Sequence, residues 1–212
     1  MKVRLFSSAL FACGLACAQT PVDGWYSSVF GGYTYLPNNL FATYYDDFYN
    51  NANYRGGYNV GGRVGFQSTP LRYELEYTFL NVGAKEFDVN ETPQDGVSGF
   101  SSANLFMANV YYDFRDVLPA VSPFLGAGIG YAYLQTSLNS TGPAGSTYFS
   151  ANDSAFAYQG TAGLTFNFAE NYAVNVAYRY TATAQADGIG SAFQANMVSA
   201  GGIYHFDRVD YK

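Results

Sequence analysis

A chain of 212 residues is sized for one domain or at most two small ones, and its balance of 16 acidic against 10 basic residues argues against a partner with a phosphate backbone. Charged residues make up only 12%, too few for an ordinary soluble surface, while aromatic residues reach 19%. Yet no stretch approaches the roughly 18 consecutive apolar residues of a membrane-spanning helix, which leaves strands as the elements that meet an apolar medium.

In chain order the first element reads as a cleavable export signal. Lys2 and Arg4 form a positive start, an apolar run follows from Leu5 to Leu15, and Ala16 and Ala18 are the small residues before a cleavage site. Cleavage after Ala18 leaves Gln19 first, so residues 1–18 are the signal and 19–212 a single barrel domain. Cys13 and Cys17 depart with the signal, so the mature chain forms no disulfide and no thiolate metal site. Gly14 and Leu15 before Cys17, and Phe11 before Cys13, do not fit a lipid-attachment box. Loss of Lys2 and Arg4 takes the formal charge from −6 to −8.

From Gly24 onward, eight segments alternate between an uncharged apolar face and a small or polar face: 24–36, 57–68, 71–82, 102–114, 122–135, 155–168, 171–182 and 193–206. The second sets Tyr58, Val60, Gly62, Val64 and Phe66 against Asn59, Gly61, Arg63, Gly65 and Gln67. The third sets Leu71, Tyr73, Leu75, Tyr77 and Phe79 against Arg72, Glu74, Glu76 and Thr78. A soluble barrel puts apolar side chains inside and charges outside. Here the charges share a face with Gly, Asn, Gln and Thr, and the opposite face carries none, which is the membrane pattern of apolar outside and polar inside.

Connection lengths alternate as well. Short links fall at Thr69 and Pro70, at 115–121 and at 169–170; long ones fall at 37–56, 83–101, 136–154 and 184–192. Outer-membrane barrels keep short turns in the periplasm and long loops outside, and an even strand count returns both termini to the periplasm. The predicted fold is therefore all-β, an eight-stranded antiparallel up-and-down transmembrane β-barrel, whose interior side chains can fill.

The opening GWYSSVFGGYTY, the stretches GGRVGFQSTPLRYELEY and VSPFLGAGIGYAY, and the closing GGIYHF resemble the small OmpA-like and opacity-type outer-membrane β-barrel family. The resemblance covers nearly the whole mature chain through diffuse patterns, so it implies fold and a Gram-negative outer-membrane location more than activity. It also implies that Tyr204 and Phe206 form a C-terminal signal read by the barrel assembly machinery, with Asp207 to Lys212 as a departure from the usual ending. Outer-membrane lipid and lipopolysaccharide are its surroundings, and a monomer is expected. The peptidoglycan-anchoring half of full-length OmpA-type proteins is not expected after Phe206.

Candidate functional residues lie in the strand interiors, in the long connections and near the end of the last strand. The strand interiors place Arg63, Arg72 and Arg179 against Glu74, Glu76 and Asp113, balanced as buried charges must be. This set reads either as a salt-bridge plug or as a gate in a narrow ion path, the latter resembling the charged interior of OmpA-like barrels. A hairpin turn at Thr69 and Pro70 places Gln67 opposite Arg72, Gly65 opposite Glu74 and Arg63 opposite Glu76. Gly126, Gly128 and Gly130 face the lumen and are expected to make room for Arg179 to reach across.

The first long connection, with Tyr44, Tyr45, Phe48, Tyr49 and Tyr54 among asparagines, suits a surface recognition loop for a host, phage or cell-surface ligand, or an aromatic girdle. The second is acidic, with Glu86, Asp88, Glu91 and Asp95 against Lys85, at no established calcium-loop spacing. His205, the single histidine, reads as an interior residue near the periplasmic rim, because sequence gives it no nucleophile. No catalytic, cofactor or metal site is expected. The function expected is structural or adhesive, with a low-conductance channel as the first alternative and a lipid-modifying enzyme as the second.

Overall fold

The computed structural model describes residues 23–37, 40–44, 48–89, 92–114, 121–143, 146–186 and 191–206. The expected signal at 1–18 and the tail from Asp207 lie outside these residues, as do Tyr45 and Glu91. The described strands are β1 (Gly24–Tyr35), β2 (Leu40–Tyr44), β3 (Phe48–Tyr54), β4 (Gly57–Ser68), β5 (Leu71–Val89), β6 (Thr92–Pro93), β7 (Ser98–Asp113), β8 (Val121–Ser140), β9 (Thr147–Asn167), β10 (Tyr172–Ala186) and β11 (Ser191–His205). Eight of them, β1, β4, β5, β7, β8, β9, β10 and β11, pair antiparallel in that order. The wall closes where β1 meets β11, from Tyr26 opposite His205 to Tyr35 opposite Asn196. Closure satisfies the backbone of every barrel strand, which lipid cannot do.

The hairpin register follows the two-residue turn. Ser68 stands opposite Leu71, Gln67 opposite Arg72, Gly65 opposite Glu74 and Arg63 opposite Glu76. Asp23 fastens this turn from the N-terminal side, its carboxylate accepting from the Thr69 hydroxyl at 2.5 Å and the Thr69 amide at 3.1 Å.

Three connections expected to be loops are largely strand. β5 runs on to Val89 and β7 starts at Ser98, β8 runs to Ser140 and β9 starts at Thr147, and the connection at 37–56 holds the β2–β3 hairpin, whose second strand pairs with β5. The reason is an inversion of polarity along the strand. On β5 the outward face is apolar from Leu71 to Phe79, and from Leu80 onward the apolar residues Leu80, Val82 and Ala84 point inward, while Asn81 and Lys85 point out. The same switch occurs between Tyr133 and Leu134 on β8, between Met197 and Val198 on β11, and between Tyr35 and Leu36 after β1. Below these points the wall is a membrane barrel; above them it is built as in water, with polar residues outside and apolar ones inside.

The apolar interior of this upper part is a cluster that includes Leu36, Leu80, Val82, Leu105, Met107, Leu134, Leu138, Phe193 and Met197. Tyr54 belongs to it at 8% exposure, so its expected place on a surface recognition loop is corrected. Its register position on β3, opposite Ala84, turns the ring into the barrel. Tyr44, Phe48 and Tyr49 lie on the β2–β3 hairpin rather than in an open loop.

Candidate functional site

The lower lumen holds all six charged residues that strand phase placed there, in one connected network. Arg63 lies 3.4 Å from Glu74 and 3.7 Å from Glu76, Arg72 lies 2.9 Å from Glu74 and 3.3 Å from Asp113, and Arg179 crosses the lumen from β10 to reach Glu76 at 2.5 Å. The network is neutral in sum and nearly sealed from solvent, with every side chain in these five pairs at most 5% exposed. Such pairs repay their desolvation only when further hydrogen bonds complete them. Here Arg179 also donates to Thr78 and Ser199, Gln67 donates to Asp113, and the Tyr26 hydroxyl donates to Glu74.

Aromatic rings complete the enclosure, and strand-by-strand reading missed them. The guanidinium carbons of Arg63 and Arg179 lie 4.4 and 4.3 Å from the centroid of the Phe30 ring, and that of Arg72 lies 4.6 Å from Tyr111 and 4.7 Å from Phe124. Guanidinium groups are weakly hydrated and planar, so ring faces can replace part of the water they lose. A signal for these rings existed in the strand phase. Tyr26 and Phe30 alternate with Trp25 and Val29, and Tyr111 shares the phase of Asp113.

The glycine stripe of β8 faces inward as expected, but its role is corrected. Atoms of the neighbouring strand β7 occupy the space: a Cβ at Gly126 would strike the Tyr111 ring, one at Gly128 the Asn109 amide, and one at Gly130 the Phe106 carbonyl. Arg179 instead travels over Phe30. The stripe thus seats β7 side chains, among them Asn109, which accepts from Gln159 at 2.6 Å.

His205 is buried at the end of the barrel that carries the short turns, its ring 5.5 Å from the Tyr26 ring, and its amide donates to the Asn171 carbonyl. It lines a cavity of about 20 Å³ with Gln67, Arg72, Asp113, Ser122 and Asn167 among others. That volume holds one water. Tyr204 and Phe206 face the lipid side by side with rings 5.4 Å apart, and the Phe206 amide donates to the Trp25 carbonyl at 3.0 Å. Among the described residues no cluster of three His, Cys, Asp or Glu could hold a metal ion.

Three comparisons bear on this architecture. The outer membrane protein beta-barrel domain family matches residues 6–206. The outer membrane protein PagN of Salmonella typhimurium is 26% identical over 139 residues, covering 59% of this chain and 57% of that protein, so the chain spans little more than half the length of this relative. Among solved structures, Neisserial surface protein A superposes with a TM-score of 0.56 at 15% identity, covering 86% of this chain and 97% of that one. Ail, the attachment invasion locus protein of Yersinia pestis, gives 0.49 at 19% identity, covering 86% and 100%. Closed wall, charge-free outer belt and family match converge: the chain belongs to the outer membrane protein beta-barrel domain family and is a protein of the Gram-negative outer membrane.

Proposed function

We propose that the protein is a sealed barrel with a structural and recognitional role: it strengthens the envelope and carries strands and loops above the membrane to a host, phage or neighbouring-cell ligand. The observation that supports this reading is that buried side chains line the lumen at two levels, one of paired charges and one of apolar residues. The ion network lies in the half nearer the short turns, and the apolar cluster around Leu105, Leu134 and Met197 lies in the half above it. An ion would have to break paired charges and then cross a dry layer. A lipid-modifying reading finds little support, because the cavity beside His205 has no room for an acyl ester. In this reading residues 1–18 are removed on export, the assembly machinery reads Tyr204 and Phe206, the product is a monomer, and neither catalysis nor a cofactor is involved.

Bilayer recordings of the purified protein, run beside a lipid deacylation assay and a cell-binding assay on bacteria expressing it, test the reading. Expected are no steady conductance, no deacylation and increased binding. Arg179→Ala should leave the bilayer silent, because the apolar cluster remains above the lost ion pair. Steady current through the wild type, or current opened by Arg179→Ala alone, would replace the plug with a gate.

A further inference from the structure

Above the polarity switch the outward faces of β7, β8 and β9 form an uncharged sheet surface that carries two exposed aromatic rings, Phe100 and Tyr148. Gln135, Ser137 and Asn139 on β8 stand beside Phe100 on β7 and beside Asn152 and Tyr148 on β9, with Gln135 opposite Asn152, Ser137 opposite Phe100, and Asn139 opposite Tyr148. None of the six is charged, and Tyr148 is the most exposed ring there at 71%. On neighbouring β5, by contrast, the upper wall carries the exposed pair Lys85 and Glu86. From strand spacing and rise, the positions of Phe100 and Tyr148 lie about 12 Å apart, with amide and hydroxyl side chains between them. Aromatic rings for the C–H faces of sugars and neutral donors and acceptors for their hydroxyls are the requirements of an uncharged oligosaccharide, and Tyr, Ser and Asn supply such contact adaptably.

The position of the face selects the source of the sugar. It continues the lipid-facing side of the same strands, since Ile129, Tyr131 and Tyr133 lead up to Gln135, and Phe156 leads up to Asn152. Tyr133 to Asn139 rises about 20 Å along the strand at about 3.3 Å per residue, directly above the outer leaflet, where the medium is the saccharide of lipopolysaccharide. We infer that this β7–β8–β9 face binds the neutral outer hexoses of the core saccharide of the lipopolysaccharide surrounding the barrel, stacking them on Tyr148 and Phe100. The contact fixes the upper strands in the sugar layer and is separate from any ligand recognised by the loop tips.

The test uses the full-length mature protein in nanodiscs containing lipopolysaccharide with its core saccharide, or lipid A without sugar. Amide hydrogen exchange is read at 135–139 and 148–152. Exchange should be severalfold slower with the core saccharide present, and the combined variant Phe100→Ser, Tyr148→Ser should lose that difference while its exchange at 72–78 stays as in the wild type. Equal exchange in the two lipids overturns the inference, as does a difference that survives in the variant. Protection that comes only from soluble oligosaccharide added to the lipid A discs would move the partner to another cell and overturn the assignment to the surrounding leaflet.

Discussion

At Glu76 two guanidinium groups converge from different strands, Arg63 directly across the hairpin and Arg179 from the far wall. Removing the carboxylate leaves both cations short of a partner, and breaking a buried pair in this way typically costs about 3 to 5 kcal/mol. Glu76→Ala should therefore lower the temperature at which the folded band converts to the unfolded one in a heat-modifiability gel, whereas Lys85→Ala, at an exposed pair, should leave it in place. Equal behaviour of the two variants would mean that the network carries no stability. Glu86, above the membrane, is a separate case: hydrogen bonds from Lys85 and then Asn53 hold its carboxyl below the usual carboxylate value. A folded value below the unfolded one places any contribution of this pair at pH above the ordinary carboxylate range, to be lost as pH falls through the folded value. NMR titration should show the Glu86 midpoint rise in Lys85→Ala. The six network residues were legible from sequence because strand phase and one short turn fix both face and register. The inward phase of Tyr111 follows from Asp113 in the same way, but its seat beneath Arg72 was not legible, because that contact joins side chains of two strands.

For the strands, legibility ended where the surroundings changed. Alternation marks a wall between lipid and lumen, so β4 was read to its ends at 57 and 68. The upper part of β8, Gln135 to Ser140, is polar on the outside like a loop, and its inward Leu134 and Leu138 belong to the opposite phase from Tyr131 and Tyr133. A doublet of adjacent apolar residues, Phe79–Leu80 or Tyr133–Leu134, is the local sign of the switch and is visible in the sequence once the mechanism is known. The glycine stripe shows how closely neighbouring strands then approach. A side chain at Gly130 would meet the Phe106 carbonyl and the Met107 Cα, both main-chain atoms that cannot swing aside, while a Cβ at Gly202 meets nothing within 4 Å. Gly130→Val should abolish refolding into detergent micelles and Gly202→Ala should not. Efficient refolding of both would show that β7 and β8 can part locally.

Taken whole, the molecule has one sidedness, and the chain supplies a convenient probe of it. With residues 1–18 removed as proposed, the lysines that remain in the sequence are Lys85 and Lys212. In the proposed orientation, a membrane-impermeant amine reagent on intact cells should label Lys85, which stands exposed above the polarity switch, and spare Lys212, which follows β11 in the sequence. Labelling of Lys212 with Lys85 untouched would invert the barrel. The seam between β1 and β11 has a consequence in time rather than in space. Residue 26 hydrogen-bonds beside residue 205, so the ribosome releases the last strand before the first can find its partner. No intermediate ending before β11 has a closed wall, and each would present two bare ladder edges to hydrocarbon. Assembly must therefore wait for the complete chain, which has to be carried unpaired through the periplasm, and a premature stop anywhere before β11 should yield cargo for proteases rather than a smaller barrel.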